Sequence, residues 1–326
     1  ITVVDHASTD ATPAILASLA AEGLPIEVLR DDSLGFDQSK ATTGHVRRIL
    51  ASGADLCIPI DADEFLRIPS RETFERTVAA ADPAIPLAMP WLTYLPDFDA
   101  PGDIVAKLRR ARRKPTETHN LCKVIVRRSF VDTPDAIVGI GNHNVIPADA
   151  SADNPHLMVP ASLAAMAHVP VRSVGQYVAK IATGHLSRLL ANPDETVDNF
   201  HIRNEYASIL AGRPPTRERL AEIVANYSAP KGLELDPAQV AWIEDPFLAD
   251  VALRYTPARE PSPLAAVLAF GERVAAEVRG VRAGSVAAFG RHNEATGTDD
   301  LVLVIESAEP DAETRAGLVR EVRGAL

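Results

Sequence analysis

Short apolar runs alternate with polar loops and helix-like stretches over the first 66 residues of the chain. Residues 1–4 and 26–29 are predicted to form strands, and each is followed by a stretch with helical character. Thr12 suits the cap of the first helix, and residues 38–52 are predicted to form the second. Residues 56–60 form a third apolar run, as in a strand that is buried on both faces. This alternation predicts an α/β fold with a mainly parallel sheet flanked by helices.

Three carboxylates follow the third run within four positions, in the sequence Asp61-Ala62-Asp63-Glu64. Carboxylates this close repel one another unless a cation lies between them, and hard divalent ions prefer oxygen ligands. In open α/β sheets, ligands bind in the crevice beyond the carboxyl ends of the strands. The motif therefore predicts a metal that is held against a substrate's phosphates. The alternative is an acidic turn in which Asp63 or Glu64 caps the next helix.

Three ordered motifs resemble those of family 2 glycosyltransferases with the GT-A fold. They are Val-Val-Asp-His-Ala-Ser-Thr-Asp-Ala-Thr at positions 3–12, Ile-Asp-Ala-Asp-Glu-Phe-Leu at 60–66, and His168-Val169-Pro170-Val171-Arg172-Ser173 with Gln176, Lys180 and Gly184 after it. The second motif is similar to that of a subgroup with Asp-Xaa-Asp-Glu-Phe, and the third to that subgroup's His-Tyr-Pro-Xaa-Arg-Ser. The resemblance covers about residues 1–190, with 255 as its outer limit.

The resemblance implies a GT-A-like, Rossmann-like domain that moves a sugar, with inversion, from a nucleotide-diphosphate donor such as a UDP-sugar. The resemblance does not identify the acceptor, which stays open among a glycan, a lipid and a protein. The implied cofactor is Mn²⁺ or Mg²⁺, which would neutralise the diphosphate leaving group. Its implied ligands are Asp63, Asp61 and a late histidine, for which His168 comes first and His143 second. A hydrogen-bonded structural ring is the alternative for either histidine.

The resemblance also implies nucleotide contacts from the first motif. Asp5 would contact the nucleobase or ribose, Ser8 and Asp10 would complete that loop, and Asp61 would face the ribose or the metal's water. Turn formation and helix capping are the alternative for Asp5 and Asp10.

Positive and aromatic side chains extend the implied site. Arg172 and Lys180 would reach the diphosphate and stabilise its developing charge, with surface pairing to carboxylates as the alternative. Trp91 would line the acceptor or sugar pocket, with core packing as the alternative.

A catalytic base is the part of the site that the sequence leaves open. Inverting enzymes of the resembled family need a carboxylate that takes the acceptor proton. Their usual Glu-Asp pair has no clear counterpart here, which leaves Asp97, Asp99 and Glu64 as candidates. A second hypothesis is therefore a non-catalytic nucleotide-sugar-binding or scaffold protein.

Composition limits the remaining classes. The 326 residues carry a net charge of −11, which argues against general nucleic-acid binding. No apolar run has the length of a membrane span, and no signal peptide is visible. Cys57 and Cys122 lie in strand-like runs, so reduced thiols of a cytoplasmic protein are expected. The chain begins without Met. The resembled family has an earlier strand at its amino end, so we expect this sequence to be a fragment of a longer protein.

Residues 95–120 are predicted to form a long loop that contains a basic cluster. The cluster comprises Lys107, Arg109, Arg110, Arg112, Arg113 and Lys114. It fits a solvated face or mobile loop, a site for diphosphate or an anionic acceptor, or peripheral contact with the anionic inner face of a membrane.

The second half of the chain predicts helices and then a separate module. Residues 192–256 predict a helical extension of the transferase-like domain 1–256, with helices at 193–210, 216–227 and 237–253. Residues 257–263 contain three prolines and predict a linker. Residues 264–326 predict a small α+β module, of which 284–306 resembles the C-terminal subdomain of acyl-adenylating ligases. The large domain of those ligases is absent, so we expect no ligase activity.

Overall fold

The computed structural model describes two compact units. The described residues are 1–8, 10–33, 37–117, 121–149, 156–191, 205–206, 208–209, 213–227, 229, 235–248, 250–255, 269, 285–293 and 298–306. Unit 1 comprises Ile1–Phe36, Arg172–Glu218 and Ala252–Leu326, and unit 2 comprises Asp37–Val171 and Arg219–Val251.

Strands and helices alternate at first and strands dominate later. The strands are β1 (Thr2–Asp5), β2 (Glu27–Arg30), β3 (Leu56–Cys57), β4 (Glu64–Arg67), β5 (Leu87–Leu95), β6 (Arg112–Arg113), β7 (Cys122–Arg127), β8 (Ile137–Val138), β9 (Val145–Ile146), β10 (Leu157–Met158), β11 (Ala165–His168), β12 (Ile243–Glu244), β13 (Ser285–Asn293) and β14 (Thr298–Glu306). The helices are α1 (Thr12–Ala21), α2 (Gln38–Ala51), α3 (Arg71–Ala80), α4 (Ile104–Leu108), α5 (Val174–Ala191) and α6 (Arg217–Ala225).

Unit 1 contains the predicted opening β–α–β segment. β1 and β2 pair in parallel, from Thr2 opposite Glu27 to Asp5 opposite Arg30. Thr12 is the first residue of α1 and not its cap, because Ala11 occupies the cap position and the Asp10 carboxylate accepts a hydrogen bond from the Thr12 N–H at 2.9 Å.

Unit 1 also contains α5 and the hairpin of β13 and β14. The Ser173 hydroxyl caps α5, since it accepts a hydrogen bond from the Gln176 N–H at 3.1 Å. β13 and β14 pair antiparallel, from Ser285 opposite Glu306 to Asn293 opposite Thr298. The predicted linker, 257–263, and the parts of the predicted α+β module at 264–284 and 307–326 lie outside the described residues apart from residue 269.

Unit 2 is built on a curled mixed sheet with β5 at its centre. β5 pairs antiparallel with β6 and β7, and parallel with β10 and β11. β3 with β7, β4 with β11, and β6 with β12 are antiparallel pairs. The prediction of a mainly parallel sheet is therefore wrong. The regular strand–helix alternation behind it ends at α3. From β5 to β11 the described strands follow one another with no α-helix longer than the five residues of α4 between them, which favours antiparallel pairing of neighbours.

Three local predictions in unit 2 are also wrong. Residues 95–120 are not all loop, because α4 and β6 form there. Residues 237–253 do not form a helix, since a single 3-10 turn at Pro237–Gln239 is followed by β12. β3 ends at Cys57, and Ile60 is 46% exposed, so residues 56–60 are not a strand buried on both faces.

The core of unit 2 lies on both faces of the sheet. On one face, Phe74 and Val78 of α3 pack with Leu87 and Met89 of β5. The opposite face buries Tyr94, Leu108, Ala111, Ala167, Val169 and Phe247. Side chains of one strand alternate between the two faces, so β5 contributes to both layers.

A polar network crosses the second of these faces. A single oxygen of Asp245, Oδ2, accepts hydrogen bonds from Arg67 at 2.9 Å, from Arg113 at 2.6 Å and from the Tyr94 hydroxyl at 2.8 Å. Burial alone would raise the pKa of Asp245, but these three hydrogen bonds outweigh it and lower the pKa. The network attaches the segment of β12 to the central sheet. These contacts give a physical reason why residues 237–253 do not form the predicted helix.

The basic cluster is largely occupied by such structural contacts. Arg110 forms an ion pair with Asp97 at 3.0 Å, and the Lys114 ammonium donates to the Ala225 carbonyl at 2.9 Å. Lys114 is 2% exposed, so at this position the solvated reading is wrong. Among the described helices, none is both long and apolar enough to cross a membrane. The predicted cytoplasmic location and membrane-surface contact stay predictions.

We predict that Asp245→Asn lowers the free energy of unfolding by about 3 kcal/mol, since two arginines lose their shared carboxylate. Because the folded pKa of Asp245 lies below its unfolded value, its contribution is present above the unfolded pKa and is lost as pH falls through the folded pKa. Urea unfolding of wild type and variant between pH 3 and pH 7 measures both effects. The exposed neighbour Glu244→Gln is the control, and equal losses in the two variants would contradict the network's role.

Candidate metal and diphosphate site

The acidic motif forms a tight turn between β3 and β4. The Glu64 N–H donates to the Asp61 carbonyl at 3.0 Å, and the Asp61 N–H donates to Glu64 Oε2 at 3.0 Å. Glu64 is the first residue of β4, so the third carboxylate of the motif closes the turn onto the sheet. The alternative of an acidic helix cap is wrong, because a strand and not a helix follows.

A buried lysine lies between two of the three carboxylates. Lys123 Nζ is 2.7 Å from Asp61 Oδ2, 2.7 Å from Glu64 Oε1 and 2.6 Å from the Gly141 carbonyl. β7 pairs with β5 at Lys123 and Met89, which directs Lys123 to the same face of the sheet as Met89. The lysine is 0% exposed. For Asp61 and Glu64, the positive charge between the carboxylates is therefore the ammonium of Lys123.

Glu64 is enclosed by its partners. Its side chain is 0% exposed, and Oε1 also accepts a hydrogen bond from the Trp91 indole N–H at 2.8 Å. Burial raises the pKa of Glu64 to about 7, against the opposing attraction of Lys123. These contacts favour a structural role over that of a base for an acceptor hydroxyl.

Asp61 is held by three side chains. Besides Lys123 on Oδ2, its Oδ1 accepts hydrogen bonds from Gln38 Nε2 at 3.0 Å and Asn142 Nδ2 at 3.2 Å. Gln38 begins α2 and also accepts from the Gly141 N–H at 3.0 Å. Helix, sheet and the segment around Gly141 therefore meet at this one carboxylate.

The segment 139–144, here called the glycine loop, connects β8 to β9 and covers the acidic turn. Gly141 and Asn142 both have positive φ, 71° and 59°, which lets the Gly141 backbone face Gln38 and Lys123 at once. His143 follows, with Nδ1 2.7 Å from the Cys122 carbonyl and its ring edge-on to Trp91 at 5.1 Å.

Asp63 and His168 lie side by side. His168 ends β11, which pairs antiparallel with β4 at Glu64, and the Val169 N–H donates to the Asp63 carbonyl at 2.8 Å. These contacts bring His168 Nε2 to 3.7 Å from Asp63 Oδ2. The structure thus brings together two of the predicted metal ligands from two separate motifs.

An aromatic group holds the His168 ring. Trp91 stacks on His168 with 4.1 Å between ring centroids, and Tyr227 contacts both rings edge-on, at 4.7 Å from His168 and 5.6 Å from Trp91. Trp91 is 5% exposed, which favours its core-packing alternative over a direct acceptor contact.

The residues present fit a metal that is shared with a substrate. Protein oxygen and nitrogen ligands lie about 2.0–2.2 Å from such ions, so one ion can bridge two donors that are 3.7 Å apart. Mg²⁺ is commonly bound through one or two carboxylates together with substrate phosphates. Among the described residues, no group of three or more His, Cys, Asp or Glu side chains is arranged to hold a metal. Asp63 and His168 fit the shared arrangement and not an all-protein cage.

The remaining predicted nucleotide contacts belong to unit 1. The Asp5 side chain is 2% exposed, forms an ion pair with Arg30 at 2.6 Å and accepts from the Ser8 N–H at 3.0 Å. Burial alone would raise the pKa of Asp5, but the hydrogen bonds from Ser8 and Arg30 lower it. Asp10 Oδ1 accepts a hydrogen bond from the Thr12 N–H at the start of α1. These contacts match the turn-forming and capping alternative, and nucleotide contact stays a prediction.

Arg172 and Lys180 are also in unit 1. The Arg172 N–H donates to Gln176 Oε1 at 3.0 Å at the start of α5, and Lys180 lies within that helix. Their contact with a diphosphate stays a prediction.

Neither of the two remaining base candidates forms part of the acidic turn. Asp97 Oδ2 pairs with Arg110 at 3.0 Å, and Oδ1 accepts from the Asp99 N–H at 3.0 Å. Asp99 is exposed. A role as base stays a prediction for both.

Comparison of the chain with protein-family models, with curated proteins and with solved structures gave no match. The resemblance to family 2 glycosyltransferases therefore depends on the three motifs alone.

Four site residues were not predicted: Lys123, Gln38, Asn142 and Tyr227. The sequence could have indicated Lys123, because a single charge stands next to the apolar run Val124–Val126 of a strand. A buried charge at such a position is costly unless it has a partner of opposite charge. The other three carried no such signal, since their contacts depend on segments that are distant in sequence.

We predict that Gly141→Ala displaces His143 and lowers the free energy of unfolding by about 1–2 kcal/mol. A Cβ at Gly141 would lie 2.5 Å from the His143 ring, and alanine is disfavoured at a φ of 71°. The control is Gly44→Ala inside α2, where a Cβ meets nothing within 4 Å. Thermal unfolding and the His143 ring signals in NMR spectra report the two effects. An unmoved ring in a variant of wild-type stability would contradict this structural account.

Proposed function

We propose that this chain is a metal-dependent glycosyltransferase that uses a nucleoside-diphosphate sugar, with Asp63 and His168 as the protein ligands of Mn²⁺ or Mg²⁺. The observation that carries the proposal is the 3.7 Å approach of Asp63 Oδ2 to His168 Nε2. These residues belong to two different motifs of the resembled family, and they come together in unit 2 through the pairing of β4 with β11.

The proposed roles follow from the contacts of each residue. When bound, the metal supplies positive charge that stabilises the leaving diphosphate. Asp63 and His168 bind it, and Trp91 and Tyr227 fix the orientation of the His168 ring. From the motifs alone, the proposal also gives Arg172 and Lys180 the role of diphosphate contacts, and Asp5, Ser8 and Asp10 the role of nucleoside contacts within the GT-A-like fold. UDP-sugars are the first donors to test.

A second candidate function is a nucleotide-sugar-binding protein that does not transfer the sugar. The engagement of two of the three candidate bases favours it, since Glu64 is enclosed by Lys123 and Trp91, and Asp97 is paired with Arg110. Both candidates require the same metal and diphosphate contacts. They differ in whether the sugar is released from the donor.

We predict that Asp63→Asn weakens Mn²⁺-dependent binding of UDP by at least about tenfold, because the substitution removes the one carboxylate among the proposed ligands. Binding of UDP, GDP and dTDP with and without Mn²⁺ is measured by calorimetry. Asp55→Asn, whose side chain is 96% exposed, controls for ion binding at a surface carboxylate.

Failure of all three nucleotides to bind in a Mn²⁺-dependent way would reject both candidates. If UDP binds, incubation with UDP-sugars and NMR detection of free UDP separates them. Sugar release that is lost in Asp63→Asn supports the transferase, whereas binding without release supports the second candidate.

A further inference from the structure

The Lys123 ammonium uses its full hydrogen-bonding capacity inside unit 2. An ammonium has three donors, and Lys123 Nζ has three acceptors, on Asp61, Glu64 and the Gly141 carbonyl, at 2.6–2.7 Å. The side chain is 0% exposed. Each donor therefore has a defined partner, and the ammonium is fixed in position.

Two of the three carboxylates in the acidic motif are committed to this ammonium. Asp61 accepts from Lys123 on one oxygen and from Gln38 and Asn142 on the other. Glu64 accepts from Lys123 and Trp91 on one oxygen and from the Asp61 N–H on the other. A divalent ion at either carboxylate would have to displace the lysine or face its like charge at short range.

We propose that Lys123 is a positioning residue that reserves Asp61 and Glu64 for the protein and thereby restricts the divalent cation to Asp63 and His168. This inference rests on the proposed function, since it concerns the same metal. It changes the ligand set implied by the resemblance, because Asp61 becomes an anchor of the turn and not a ligand.

The turn geometry gives the physical reason. With Asp61 and Glu64 held from within the protein, and the Asp63 carbonyl bonded to the Val169 N–H at 2.8 Å, the Asp63 carboxylate is the one of the three that faces the His168 ring. Without the ammonium, Asp61 Oδ2 would lose its bond to Lys123 while Oδ1 kept its bonds to Gln38 and Asn142, so Oδ2 would compete with Asp63 for an incoming cation.

The experiment measures binding of Mn²⁺ alone by electron paramagnetic resonance, in the full chain, with and without Lys123. In the Lys123 background we expect Asp61→Asn and Glu64→Gln to change the Mn²⁺ affinity by less than threefold, and Asp63→Asn to lower it at least tenfold. In the Lys123→Met background we expect Asp61→Asn to lower the affinity at least fivefold, because Asp61 now binds the ion.

A purely structural lysine would give a different pattern. It would lower the melting temperature in Lys123→Met, yet the effect of Asp61→Asn on Mn²⁺ affinity would be the same in both backgrounds. Arg113→Met, which removes a cation from the Asp245 network on the opposite face, is the matched control. It should lower stability without making Mn²⁺ affinity sensitive to Asp61→Asn.

Two outcomes overturn the inference. The first is a loss of Mn²⁺ affinity in Asp61→Asn equal to that in Asp63→Asn while Lys123 is present, and this arm stands even if Lys123→Met does not fold. The second is the same effect of Asp61→Asn with and without Lys123. If wild type binds no Mn²⁺, the proposed function fails as well, and that result is distinct because every variant is then silent.

Discussion

The buried ammonium of Lys123 is the interaction on which the acidic turn depends. Three carboxylates in four positions would repel one another in a site shielded from water, and two of them reach the same lysine at 2.7 Å. The position of Lys123 depends on the register in which β7 pairs with β5. It also depends on the positive-φ backbone of the glycine loop, which places the Gly141 carbonyl where it accepts the third hydrogen bond of the ammonium. Charge balance in this site is therefore a property of the tertiary fold.

The two faces of the central sheet handle buried charge in opposite ways. On one face a single cation, Lys123, is shared by two carboxylates, and on the other a single carboxylate, Asp245, is shared by two arginines. The first arrangement fixes the turn beside His168, where we propose that a cation binds. The second attaches β12 to the sheet.

Local sequence rules predicted the elements that local interactions decide. The first β–α–β segment and α2 are confirmed, because apolar spacing acts over a few residues. The mainly parallel direction predicted for the strands was wrong for the sheet of unit 2, because there it depends on how segments that are distant in sequence pair with β5. The approach of Asp63 to His168 agrees with the motifs, but their metal and nucleotide roles stay predictions.

That Lys123 is the partner of the acidic motif could not be predicted from the sequence for a similar reason. The carboxylates of the acidic motif are visible in the sequence, and so is the need for a counter-charge. Lys123 lies 62 positions from Asp61, and no spacing rule joins a lysine in one strand to a turn between two others.

The discontinuous make-up of unit 2 has a consequence for synthesis on the ribosome. Arg67 and Asp245, which share an ion pair, are separated by 178 positions, and all of Arg172–Glu218 belongs to the other unit. Until the segment Arg219–Val251 has emerged, Arg67, Arg113 and Tyr94 have no carboxylate, and β6 lacks its neighbour β12. The nascent sheet therefore has an unpaired edge at β6 while residues 114–242 are made, and such an edge invites chaperone binding or aggregation.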